Sequence, residues 1–310
     1  MKPQKTKLLI FILPVLTLIL ISIVTAGCQR PTKVAETVTP TTPLSTDSVE
    51  TSPTNTLAAT PTPAPLAATV NDQAILLEDL NNEILRYMKA HPDTSAEQSF
   101  DASLQSMIDQ YLFAQEARNN GYSADEEMVS DRIIELINEL GDETLFTRWL
   151  EKNYYTQESF ERTLTIAIES DYQIELIIQQ IPDEIDQVEL RQILVYDRVT
   201  ADNIQLALES GTDFKWLAAQ YHPLTNGYLS WSPKGYLSQP EIETVAFELE
   251  PGTVSEMIET DFGYHFIKVL NHEIHPLSID AKQKLQHLAL QSWIDQQRSN
   301  SKIEIIASIQ

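Results

Sequence analysis

Residues 260–269 read TDFGYHFIKV, and this stretch decides the architecture of the second half of the chain. Asp261, Phe262 and Gly263 have the composition of a tight turn, and the residues at 264–270 are mostly aromatic, aliphatic or β-branched. The segment 253–260 precedes the turn and also favours a strand. Two such segments joined by a short turn predict a pair of antiparallel strands.

The segments before this strand pair alternate between strand and helix patterns. We predict strands at 188–195 and 227–231, and helices at 201–209, 214–221 and 242–249. The resulting order, β-α-α-β-α-β-β, is typical of an α+β fold on a mainly antiparallel sheet.

The first half of the chain has a different pattern. Apolar side chains recur at helical spacing through 77–176, which predicts a set of amphipathic helices. Gly121 and Gly141 are placed to end two of these helices, and Pro182 ends the last. The helix after Gly121 is expected to open on a capping box at 123–126, which reads SADE.

Strand patterns flank this helical half at both ends. The segment 68–76 predicts a short strand with a turn at Asn71 and Asp72. After Pro276, one more amphipathic helix leads to a strand at 303–306. We expect this last strand to fold back and pair with 70–75.

The beginning of the chain has the pattern of an export signal. Lys2, Lys5 and Lys7 precede an apolar run at 8–24, and small residues then precede Cys28. A basic region, an apolar run and small residues before a cleavage point are typical of a secretory signal. The run is also at the short limit for a membrane-spanning helix, so an uncleaved anchor is the alternative.

Residues 28–67 are rich in Pro, Thr and Ser. Such a segment cannot bury enough apolar surface to offset the entropy of ordering it. We therefore predict an extended, disordered linker, with the folded part beginning near Ala68.

The composition excludes several classes of function. The chain has 21 Lys and Arg against 45 Asp and Glu, a formal net charge of −24, which argues against a nucleic-acid partner. The single cysteine, Cys28, excludes an intramolecular disulfide and Cys-rich metal centres. His272 and His275 follow the predicted end of a strand without a third ligand, so we expect no metal, and nothing indicates a cofactor.

Three parts of the chain resemble known families. Residues 186–272 are similar to parvulin-type (PpiC/rotamase) peptidyl-prolyl cis-trans isomerase domains, through RQILV at 191–195, GYLSW at 227–231 and TDFGYHFIKV at 260–269. The segments 70–75 and 108–121 resemble the helical chaperone part of SurA/PrsA-type exported foldases, as does the C-terminal helix. Cys28 directly after Ala-Gly resembles the lipidated cysteine of bacterial lipoproteins.

The resemblance implies a layout of five parts. An inserted isomerase domain would interrupt a helical chaperone domain that the C-terminal helix and strand complete. The expected parts are a lipoprotein signal peptide (1–27), a linker (28–67), the N-terminal part of the helical domain (68–182), the isomerase domain (186–272) and the returning helix and strand (276–310).

The resemblance also implies site residues. His265 matches the second of the two histidines of parvulins, and Gln192 stands where the first is usual, so these two would form the polar floor. Leu237, Ile242 and Phe262 would contact the proline ring. Leu224 falls at the usual Cys/Asp position, where His222 is the alternative, and Trp231 would also contact substrate.

Two hypotheses follow for the whole chain. The first is a lipid-anchored isomerase and foldase outside the cytoplasm, acting on unfolded exported polypeptides that contain proline and tethered to the membrane through Cys28. The second is a holdase that binds such chains without isomerising them, favoured by Gln192 and Leu224 at positions that are usually His and Cys or Asp. A structural lipoprotein without a client is a third reading.

Overall fold

The computed structural model describes residues 64–308. The predicted signal peptide, the predicted lipidation site at Cys28 and the predicted linker through residue 63 lie outside the described residues. Among residues 64–308, no helix combines the length and apolar character needed to cross a membrane.

The helical half contains five helices among the described residues. They pair through apolar stripes, as the sequence periodicity predicts. Their bounds are α1 (Leu77–Ala90), α2 (Ala96–Asn119), α3 (Glu126–Leu140), α4 (Glu143–Lys152) and α5 (Gln157–Ile178).

A three-stranded antiparallel sheet closes one side of this helical body. Its strands are β1 (Leu66–Val70), β2 (Gln73–Leu76) and β7 (Ile303–Ile305), in the order β2-β1-β7. The register pairs Val70 with Ile303, which confirms that the last strand returns to the first half. The helix before β7, α9 (Ile279–Asn300), buries Ile294 in the same core.

The expectation that the disordered linker extends to residue 67 is wrong at its end. Leu66 and Ala67 already belong to β1, and Ala67 is fully buried. Strand pairing with β2 and burial in the core order these two residues, which are not prolines and lack the polarity of the preceding segment.

The second half folds as a four-stranded antiparallel sheet in the order β4-β3-β6-β5, with three helices. The predicted order β-α-α-β-α-β-β and the α+β class are confirmed. The bounds are β3 (Glu184–Val195), α6 (Arg198–Glu209), α7 (Phe214–Tyr221), β4 (Tyr228–Pro233), α8 (Pro240–Glu248), β5 (Ile258–Thr260) and β6 (Gly263–Pro276).

Each face of this sheet has its own core. Ile193 and Phe266 pack against α6 and α7 on one face. Leu190 and Ile267 pack with Ile242 of α8 on the other. Because side chains alternate along a strand, residues that share the α8 face are separated by two positions.

The two central strands are longer than expected. β3 and β6 pair as far as Glu184 and Pro276, so His272 and His275 lie within β6 and not after its end. Each histidine has a separate contact: His272 approaches the carboxylate of Asp186, and His275 stacks on Trp231 with ring centres 4.1 Å apart. The prediction of a short strand was wrong because the continuing partner strand supplies hydrogen bonds that the local pattern does not reveal.

The turn before α3 is built around a buried carboxylate. Asp125, and not Ser123, caps the helix, with its side chain accepting the N–H of Met128 at 2.9 Å. Ser123 is drawn away because its hydroxyl donates to Glu169 of α5, which is 2 % exposed. Glu169 also pairs with Arg118 of α2, so a single carboxylate joins α2, α5 and the turn between α2 and α3.

Asp171 on α5 gives a prediction for stability. Burial raises the pKa of Asp171 to about 6 from its ordinary value of 3.8, and Arg132 offsets this only in part. Because the folded-state pKa exceeds the unfolded value, this carboxylate destabilises the fold above pH 6 and has no such effect below about pH 4. We expect Asp171→Asn to raise the free energy of unfolding by about 2 kcal/mol at pH 7 and by almost nothing near pH 4. Urea unfolding at the two pH values measures both; a less stable variant at pH 7 would contradict the assignment.

Candidate active site

His265 lies in the middle of the sheet, on β6. It pairs across the ladder with Leu194 of β3, and it is 1 % exposed. Gln192 lies two residues before Leu194 on the same strand and therefore on the same face. Its side-chain amide donates to Nδ1 of His265, so the two residues that the resemblance brings together are in contact.

Thr260 holds the other side of the imidazole ring. Its Oγ1 lies 2.8 Å from Nε2 of His265 and accepts the N–H of Phe262 at 3.1 Å. Because Gln192 donates to Nδ1, that nitrogen is the acceptor, and the proton of the neutral ring sits on Nε2, facing Thr260. Thr260 belongs to the motif at 260–269, but the sequence analysis gave it no role. Its position directly before the turn was the one feature that could have indicated it.

The buried ring is held in its neutral form. Burial lowers the pKa of His265 below its ordinary value of 6.5, and the carboxylate of Glu241 opposes this to a smaller extent. Near pH 7 the imidazole is therefore a fixed hydrogen-bonding group and carries no charge. Such a site can orient dipoles, but it is not arranged to transfer protons.

A glycine fixes the approach of β4 to the site. The N–H of Gln192 donates to the carbonyl of Gly227 at 2.7 Å, and Gly227 has a φ of +71°. A Cβ atom at Gly227 would overlap the carbonyl oxygen of Gln192. The left-handed conformation and this close approach both require glycine, so the backbone beside Gln192 is set by residue 227.

The three predicted proline contacts differ in their accessibility. Phe262 is 64 % exposed in the turn next to Thr260, and Leu237 is half-buried against the α8 face. Ile242 is 2 % exposed and belongs to the core below the site. Its expected contact with substrate is therefore corrected to a supporting one, because the sheet and α8 already cover its side chain.

Two further predicted substrate contacts, Leu224 and Trp231, differ in their surroundings. Leu224 is 97 % exposed, so it packs against nothing at the site. Trp231 pairs with Glu189, which lies about 16 Å along β3 from Leu194 at 3.3 Å per residue, and it stacks on His275. Both assignments came from motif position alone, and they stay predictions.

His222 makes a hydrogen bond directly beside the His265 cluster. Its Nε2 accepts the N–H of Leu194 at 3.0 Å, directly at the residue that pairs with His265. The residue that follows α7 therefore brings a second histidine to the end of β3 that pairs with His265. The sequence indicated His222 only as an alternative for the polar position near Leu224.

Two family models match this chain. The description "PPIC-type PPIASE domain" covers residues 196–271, which include His265 and Thr260 but begin after Gln192. The description "SurA-like N-terminal domain" covers residues 44–173, which include the first four helices and much of α5.

Curated relatives carry the name foldase. "Foldase protein PrsA" of Geobacillus sp. is 34% identical over 38% of this chain and 44% of its own. "Foldase protein PrsA 4" of Bacillus cereus is 29% identical over 60% of this chain and 69% of its own. The match thus spans less than half of the length of the first of these relatives.

A crystal structure of a peptidylprolyl isomerase, PrsA, from Bacillus anthracis aligns with 66% of this chain and 99% of its own, at 20% identity and a TM-score of 0.43. One region of the chain is thus similar to a SurA-like N-terminal domain and another to a PPIC-type PPIase domain, and curated relatives of the chain carry the name PrsA foldase.

Proposed function

We propose that this chain is an exported, lipid-anchored peptidyl-prolyl cis-trans isomerase and foldase. It assists the folding of proline-containing polypeptides beyond the membrane. The observation that carries the proposal is the buried His265 held between Gln192 and Thr260, within the region that matches a PPIC-type PPIase domain.

Cis-trans isomerisation of a prolyl peptide bond requires fixed polar groups and an apolar surface. Rotation about a peptide bond crosses a barrier of about 18–20 kcal/mol because the amide loses its resonance at the twisted midpoint. No proton or electron has to be transferred. A catalyst needs fixed polar groups that favour the twisted amide, together with an apolar surface for the proline ring.

The residues of this chain supply both requirements. His265, neutral and bonded on both nitrogens, forms with Gln192 a rigid polar floor that needs no reorganisation during rotation. Phe262 and Leu237 offer the accessible apolar surface for the ring, and Ile242 supports it from below. No cofactor enters this scheme.

A protease-coupled assay on a proline tetrapeptide tests the activity. We expect the purified chain to accelerate the slow cis-to-trans phase, which uncatalysed takes on the order of tens of seconds or longer. A chain that leaves this phase unchanged at micromolar concentration is not an isomerase.

A holdase is the second candidate. Gln192 replaces the usual histidine, and Leu224 is exposed at the position where parvulins carry Cys or Asp, so two usual polar groups are absent from these positions. Suppressed aggregation of an unfolded client without any acceleration of the tetrapeptide would favour this candidate over the enzyme.

The membrane tether is proposed from the sequence. The body carries a strong negative charge that disfavours adsorption to anionic lipid, so attachment needs an anchor outside the folded body. We expect Cys28→Ser, expressed in a bacterium, to lose incorporation of labelled palmitate and to move from the membrane fraction to the soluble extracytoplasmic fraction. Gly27→Ala keeps a small residue before the cysteine and is the matched control, which should stay lipidated. A Cys28→Ser protein that remains in the membrane fraction points to the uncleaved anchor instead.

A further inference from the structure

The loop at 234–239, here called the pocket loop, joins β4 to α8 and carries Leu237. Two of its backbone N–H groups, from Gly235 and Leu237, donate to one carboxylate oxygen of Glu243, at 2.8 and 3.4 Å. Glu243 lies on α8, next to Ile242. The carboxylate of Glu243 on α8 therefore fixes the position of Leu237 on this side of the loop.

Helix α9 holds the pocket loop from the other side. Nζ of Lys284 donates to the backbone carbonyl of Tyr236 at 2.8 Å and lies 5.5 Å from the centre of its ring. A Cβ atom on Gly235 would come within 3.3 Å of Leu288, so the loop backbone packs against α9. Lys284 lies in the N-terminal half of α9, where the helix macrodipole gives a cation no advantage. Its contact with Tyr236 accounts for its placement.

The far half of α9 is anchored in the helical body. The guanidinium of Arg298 donates twice to Asp109 of α2, at 2.7 and 2.8 Å. Trp293 stacks on Phe113 of the same helix with ring centres 4.5 Å apart. A helix of this length is stiff, so these contacts of its C-terminal half also fix the position of its N-terminal half. The N-terminal half in turn fixes the position of the pocket loop.

We propose that Lys284 is a positioning residue for the isomerase, through which the helical body sets the conformation of the pocket loop and hence of Leu237. The inference rests on the proposed function. It assigns to α9 a role in the reaction. The match to the PPIase domain ends at residue 271 and does not include α9. Packing of α9 in the helical core does not by itself imply this role. The contact is specific, because the ammonium group of Lys284 donates to the carbonyl oxygen of Tyr236. Tyr236 lies between the two residues whose amides donate to Glu243.

The test uses Lys284→Met in the full chain, which keeps an apolar stem of similar length and removes the donor. Hydrogen–deuterium exchange of the amides of Gly235 and Leu237 should become about tenfold faster, the factor expected for loss of one hydrogen bond to a charged group. KM for the proline tetrapeptide should rise about tenfold for the same reason, while kcat changes less than about twofold because the His265 network is untouched. Lys284→Arg should restore protection and KM, since it retains a cationic donor.

Lys282→Met is the matched control. This lysine lies half a turn away on α9 and pairs with Asp183 in the segment before β3, not with the pocket loop. It should leave exchange in 234–239 and KM unchanged. If the wild-type chain is active and Lys284→Met has the same amide exchange and the same KM, this inference is overturned while the proposed function stands. A wild-type chain without isomerase activity would overturn the proposed function.

Discussion

Replacing His265 by alanine is expected to lower kcat/KM for the proline tetrapeptide by about 100-fold, the loss typical of removing one preorganised polar group from an active site. The imidazole ring is the centre of the network, and its removal leaves both Gln192 and Thr260 without their partner. Thr260→Val has nearly the same shape and removes only the hydroxyl. It should lower kcat/KM by about tenfold, because the ring remains but loses one of its two supports.

The control for this pair of variants lies on β6, the strand that carries His265. His272 is bonded to Asp186 at the other end of β6, so His272→Ala should keep full isomerase activity. Thermal unfolding of each variant separates loss of the fold from loss of the site. If folded His265→Ala and Thr260→Val both keep wild-type kcat/KM, the polar floor has been wrongly assigned.

Replacing Arg118 by methionine is expected to lower the free energy of unfolding by about 3 kcal/mol, the penalty typical of leaving a buried charge without its partner. Glu169 is 2 % exposed and pairs with Arg118, which also donates to Gln73 of β2 at 2.7 Å. The substitution thus removes a link between α2, α5 and the N-terminal sheet. It leaves Glu169 with the hydroxyl of Ser123 and the N–H of Ala124 as its remaining donors.

Urea unfolding measures the effect, with Arg198→Met as the matched control. Arg198 pairs with Asp202, and both side chains are more than half exposed, so its loss should leave the free energy of unfolding essentially unchanged. If Arg118→Met and Arg198→Met change the free energy of unfolding equally, the buried pair of Arg118 with Glu169 contributes no more to stability than an exposed pair.

The fold was predictable wherever local pattern and topology agreed. The turn at 261–263 fixes the pairing of β5 with β6, and alternation along β3 and β6 identifies two buried faces. The pairing of β7 with β1 was predictable because a short apolar strand after a long amphipathic helix has few other edges available. These inferences need only the residues of the strands themselves.

The remaining features depend on partners far along the chain. Ser123 fits a capping box by sequence, yet Glu169 of α5 captures its hydroxyl and Asp125 becomes the cap. Ile242 and Phe262 are both apolar, and only the packing of α8 on the sheet decides that one is buried and the other exposed. Family motifs give sequence position and say nothing about exposure, so the exposure of Leu224 and the stacking of Trp231 on His275 could not be predicted from them.

The placement of β7 beside β1 has a consequence for how the chain acquires its structure. The strand that completes the N-terminal sheet comes from residues 303–305, after every helix and strand of the isomerase region. Contacts between such distant segments form late, because the intervening chain must first be brought together. During synthesis, β1 therefore lacks one of its neighbouring strands until nearly the whole polypeptide has been made. The half of the chain that is synthesised first is thus the last to complete its native fold.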